Sequence, residues 1–196
     1  MNNRQSRRLV IGFVLALVGF CVFFTFGLSP YLMQAAQRSD AFHLLGKCLE
    51  IASGDTLLID QRGEERWIRL IGIEAPAFEE SARLQAQVER LGRDPDWIQQ
   101  QARVSRNTLA AWVYRRGLHI TYPWGEDALD EDGRHWAYAE VAGINLAYKL
   151  LQGGQVLAVD VDHPERGLFA EMEAQARDQG RGLWRAGGAN PIQITR

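Results

Sequence analysis

The chain has 196 residues, 22 Lys and Arg against 24 Asp and Glu, and only two cysteines, Cys21 and Cys48. Three of the basic residues, Arg4, Arg7 and Arg8, precede residue 29 and no acid does, so the remainder carries 19 basic against 24 acidic groups, a charge of −5. That balance disfavours a nucleic-acid grip, which needs a basic patch or stripe, and two cysteines so placed give neither a disulfide within one domain nor a metal site.

Leu9 to Leu28 is a run of twenty residues without a charge. Its length matches the apolar thickness of a bilayer. It exceeds the usual h-region of a secretory signal, and Met33 and Gln34 sit badly at the −3 positions before Ala35 and Ala36. An uncleaved anchor is therefore expected, with a cleaved signal as its rival. The arginines ahead of the span put the N-terminus in the cytoplasm, by the positive-inside rule. The rest then lies in the periplasm or outside, tethered to the lipid bilayer of the inner (cytoplasmic) membrane. The expected layout is a basic flank 1–8, a span 9–28, a linker 29–42, one domain over 43–186 and a tail 187–196. Roughly 150 residues suit a single core.

Within that domain, Leu44–Ile51, Thr56–Ile59 and Arg66–Ile73 read as strands, rich in β-branched and aromatic residues and separated by turn residues. Glu79–Leu91 reads as a helix ended by Gly92. Asp94 and Pro95 are an N-cap and first-turn pair opening a second helix to about Arg116. Leu118–Tyr122 and His135–Val141 are strand-like, joined by the acidic loop Glu126–Asp132. That loop fails the EF-hand template: with Gly133 at position 6, position 12 falls on Ala139. It is expected to be a solvated negative surface. Ile144–Leu151 is a short helix, Val156–Val161 a short strand and Pro164–Asp178 the last helix. The predicted class is α+β: a five-stranded OB-type β-barrel with three to four packed helices, preceded by one transmembrane helix.

Motifs in order along the chain carry a resemblance. They are Gly54-Asp55-Thr56; Arg69-Leu70-Ile71-Gly72-Ile73-Glu74-Ala75-Pro76; Asp132-Gly133-Arg134 with Ala137-Tyr138; Asn145-Leu146 with Gly153-Gly154; Glu173-Ala174-Gln175-Ala176-Arg177; and Gly182-Leu183-Trp184. Together, over about residues 44–184, the chain resembles the staphylococcal-nuclease-like (thermonuclease) domain. The resemblance implies Ca²⁺-dependent hydrolysis of nucleic-acid phosphodiesters. It implies Asp55 and Glu74 as metal carboxylates, with the Ala75 carbonyl as a further oxygen, and Arg69 and Arg134 as the catalytic arginines on the phosphate.

The chain departs from that pattern in five places. Ala77 stands where active members carry the glutamate that activates water. Glu74 replaces an aspartate. Asp132 replaces a tyrosine beside the phosphate arginine. The tyrosines ahead of the last helix are missing. The segment Glu79–Gln101 is longer than usual and can cover the site; Glu79 and Glu80 within it are candidate replacements for the lost base. Two functions stand open on these residues: a weakened or lost nuclease, and a non-catalytic binding module in the cell envelope with a protein partner.

Overall fold

A computed structural model describes residues 42–185. The expected span over 9–28 lies outside the described residues; among those described, no helix is long and apolar enough to cross a membrane. In chain order the elements are β1 (Phe42–Ser53), β2 (Thr56–Gln61), β3 (Glu64–Leu70), β4 (Ile73–Glu74), α1 (Ala82–Leu91), α2 (Pro95–Val113), β5 (Gly117–Tyr122), β6 (His135–Val141), β7 (Ile144–Asn145), α3 (Leu146–Gln152), β8 (Leu157–Ala158) and α4 (Arg166–Asp178), then a 3₁₀ turn at Gly182–Trp184.

Five strands close into an OB-like barrel. The order β3-β2-β1-β5-β6 is antiparallel throughout. A parallel pairing of β3 with β6, Ile68 opposite His135 and Leu70 opposite Ala137, shuts the seam. Closure removes the exposed sheet edges. Strand alternation fills the interior: Leu57 and Ile59, Ile68 and Leu70, Leu118 and Ile120, Ala137 and Ala139 are all buried. Leu109 and Val113 of α2 pack into the same core. A second, smaller apolar cluster lies under α1 and α2: Ala77, Leu84, Trp97, Ile98, Leu157 and Leu183.

The strand expected over Arg66–Ile73 breaks in two. Gly72 has φ 75°, and a Cβ there would lie 2.4 Å from His163 Nε2; only glycine turns the chain under that ring. The fragment beyond the turn, β4, is two residues long, because Pro76 brings no N–H to extend a ladder. That limits its partner as well, so the strand expected over Val156–Val161 is only Leu157–Ala158. The first helix begins at Ala82 rather than Glu79, since Ser81 Oγ accepts the Leu84 amide as its N-cap. The second begins as expected, with Asp94 accepting from Trp97 and Pro95 in the first turn, but stops at Val113. Beyond it the chain turns onto β1, Arg115 N–H donating to the Cys48 carbonyl and Cys48 N–H to the Arg116 carbonyl.

Candidate functional site: a buried ion cluster

The site forms where the β1–β2 hairpin meets α1 and α2. Gly54 and Asp55 make the hairpin turn between paired Ser53 and Thr56. Ser105 of α2 sits so close over Gly54 that a Cβ would lie 1.9 Å from its hydroxyl. This cover leaves Asp55 with no exposed surface, although it occupies a turn.

A buried carboxylate must be fully hydrogen-bonded or become protonated. Asp55 is saturated. Its Oδ1 accepts from the Ser53 and Thr56 hydroxyls. Its Oδ2 accepts from the Ala75 amide at 2.6 Å and from Arg83 at 2.9 Å, and lies 3.1 Å from the Arg69 guanidinium. Arg69 reaches this point because β3 places it directly opposite Thr56. Burial would raise the Asp55 pKa; the Arg69 and Arg83 charges, with the Ala75 amide and the Ser53 hydroxyl, outweigh it and hold the carboxyl below its ordinary value. Burial also pushes Arg69 down, against the pull of Asp55, and the Arg83 and Arg134 charges push it further the same way.

Arg83 and Gln87, one turn apart on α1, complete the cluster. The Arg83 guanidinium donates to Asp55 and to the Ala75 carbonyl, and its Nε lies 3.6 Å from Glu74. Gln87 Nε2 donates to Glu74 and, at 3.0 Å, to the Ala75 carbonyl, while its Oε1 accepts the Ala77 amide at 2.9 Å. Arg90, a further turn along, grips both oxygens of Glu173 on α4 and the Ala158 carbonyl. Positions 83, 87 and 90 follow helical spacing, so one polar stripe of α1 is laid across β4 and its flanks.

The structure thus brings three of the four expected site residues, Asp55, Arg69 and Glu74, into one cluster. The fourth, Arg134, acts on Arg69 through its charge but is held by acids of its own loop. Its Nε lies 2.6 Å from Asp130 and a terminal nitrogen 2.6 Å from Asp132. Burial would raise the Asp130 pKa, and the hydrogen bonds and charge of Arg134 bring it below the ordinary carboxylate range. The acidic loop is therefore more than a solvated surface: Glu126 also pairs with Arg66 at 2.7 Å.

Ala77 is buried, its methyl group packed in the smaller apolar cluster. Glu79 and Glu80 are exposed on the bend before α1. Among the described residues their carboxylates make no bond to the Asp55 cluster. The residues missed from sequence are Arg83 and Gln87. Their signal was available in the spacing of Arg83, Gln87 and Arg90 within a segment already suspected of covering the site.

The oxygen set does not fit Ca²⁺. The ion takes six to eight oxygens, yet Oδ2 of Asp55 already receives three donors and the Ala75 carbonyl two. Asp55 and Glu74 balance Arg69 and Arg83 in charge, so a divalent ion would add two uncompensated charges to a largely buried place.

No protein-family model matches the chain. It is similar to an uncharacterized protein of Bacillus anthracis, 23% identical over 142 residues, covering 71% of this chain. The matched part spans 60% of that relative's length.

Proposed function

We propose that this chain is a membrane-tethered, thermonuclease-like barrel that has given up calcium-dependent phosphodiester hydrolysis and serves as a binding module in the cell envelope. One observation carries the reading: the arginines that would hold a phosphate are each paired with carboxylates of the same chain. Arg69 lies on Asp55, Arg134 on Asp130 and Asp132, and neighbouring Arg66 on Glu64 and Glu126. A phosphate would have to displace these partners. At position 77 a buried methyl group stands in place of a water-activating acid, a loss of general-base help that is worth roughly 10²–10⁴-fold.

The contact surface on this reading is the outer side of β3 and β6. The pleat sets Trp67 and Arg69 on the same side of β3, and Trp136 lies opposite Arg69. Trp124 stacks edge-on to Trp136 with ring centroids 6.1 Å apart. Trp67 and Trp124 are exposed. Aromatic residues of this kind are enriched in protein interfaces, and the acidic balance of the domain favours a protein partner over nucleic acid. Residues 9–28 supply the tether.

The test is cleavage of single-stranded DNA and RNA by the full-length chain in detergent, with calcium or with chelator. No cleavage is expected in either. Calcium-dependent cleavage that disappears in Arg69→Ala overturns the reading.

A further inference from the structure

We propose that Arg83 is the resident cation of this site: its guanidinium fills a latent divalent-cation site formed by Asp55, Glu74 and the Ala75 carbonyl, and so pins α1 to the barrel without metal. The inference goes beyond the binding-module reading, because it concerns what organises the cluster rather than what the outer face contacts.

Three observations carry it. First, two carboxylates and a carbonyl from separate points of the chain, the hairpin turn, β4 and the residue after it, converge on one side chain. Convergence of hard oxygens from different segments is how a cation is held. Here the group at the focus is a guanidinium, which meets oxygens with a planar fork of donors. Second, the charges close. Asp55 and Glu74 offset Arg69 and Arg83; without Arg83 the cluster would carry one uncompensated negative charge, with Asp55 fully buried. Third, the Arg83 side chain is 31% exposed while Asp55 is wholly covered. Arg83 therefore closes the cluster from the solvent side, the side from which an ion would arrive. Gln87 supports the arrangement by donating to Glu74 and to the second lone pair of the Ala75 carbonyl.

Removing the guanidinium frees one acceptor position on each of Asp55 and Ala75 and uncovers Glu74. The three oxygens then face solvent across a net negative site, and calcium becomes a ligand that stabilises the fold by mass action.

The experiment is thermal unfolding and calorimetric titration of the full-length chain and its variants, in millimolar calcium and in chelator. Wild type is expected to unfold at the same midpoint in both and to bind no calcium. Arg83→Gln is expected to unfold lower in chelator and to gain about 3 °C or more in calcium. The gain should vanish when Glu74→Gln is added. Arg83→Lys keeps a charge at the focus and is expected to stay indifferent to calcium. Should Arg83→Gln fail to fold in chelator, recovery of its folded signal by calcium supports the proposal, and failure in both conditions counts against it. A wild-type midpoint raised by calcium and flattened by Glu74→Gln overturns it. So does an Arg83→Gln variant that folds and ignores calcium. None of these readouts depends on nucleic-acid cleavage, so this proposal and the previous one fail separately.

Discussion

At the scale of single residues, Asp55 carries the most. Among the described residues it is the one acid with no exposed surface, and donors from five residues meet its two oxygens. Asp55→Asn removes the charge that balances Arg69 and Arg83 and offers an amide where only acceptors are wanted. Breaking a buried pair from one side costs about 3–5 kcal/mol, and a fall of that size in denaturant stability is expected. Ala77 has the opposite character. A carboxylate introduced by Ala77→Glu enters an apolar cluster instead of a water-filled cleft, so the variant is expected to lose on the order of 2 kcal/mol and to gain no hydrolysis; calcium-dependent cleavage by it would contradict the packing argument. Cys48 is fully buried inside the barrel wall. Burial pushes its thiol up to about 11, against a smaller lowering by the Arg115 amide. The thiolate is the reactive form, so native protein at pH 8 should resist a thiol reagent that labels Cys48 at once in denaturant.

At the scale of elements, α1 decides what the site is. Its N-cap at Ser81 starts the helix so that Arg83, Gln87 and Arg90 fall on the side facing β4. Ser81→Ala, in removing that cap, is expected to cost about 1 kcal/mol, read as a shift in the denaturant midpoint. The barrel was legible from the sequence because strand alternation and turn residues are local signals, and so was the Asp94–Pro95 helix start; the meeting of Asp55, Arg69 and Glu74 was an expectation of the family resemblance. The spacing of Arg83, Gln87 and Arg90 marks a polar stripe on the helix, but the partners of Arg83 were not legible from it. A guanidinium on an amphipathic helix reads as a solvent-facing charge until the helix is docked, and only then do three oxygens that suggested calcium become partners of an arginine. Arg134 escaped for a related reason. Its partners, Asp130 and Asp132, lie within four residues, but the loop reads as repelling acids unless the chain folds back so that Asp130 accepts both the amide and the side chain of Arg134. The split of one expected strand at Gly72 needed His163, ninety-one residues away, to be placed over the glycine.

For the whole molecule, these buried groups set how stability depends on pH. His163 is packed between Tyr138 and Phe169 over Gly72, its Nδ1 within 2.8 Å of the Tyr138 hydroxyl. Burial disfavours its cation and lowers its pKa; Asp162 opposes the shift and Arg166 adds to it. A histidine shifted down binds its proton more readily in the unfolded chain. Stability is therefore highest above the unfolded value of about 6.5 and declines as pH falls through it. Asp55 and Asp130 are shifted down as well, but as carboxylates: their contribution is complete above the unfolded value of about 3.9 and disappears as pH falls through their lower folded values. Two separate declines are therefore expected on acidification, one beginning near pH 6.5 and a steeper one below about pH 4. Denaturant unfolding across pH resolves them. His163→Gln should abolish the upper decline and leave the lower, whereas Asp130→Asn should soften only the lower. Both limbs should be identical in calcium and in chelator, because the counter-charge of Asp55 is built into the chain. A lower decline that moves with calcium would mean that a metal, rather than Arg83, holds the carboxylates ionised.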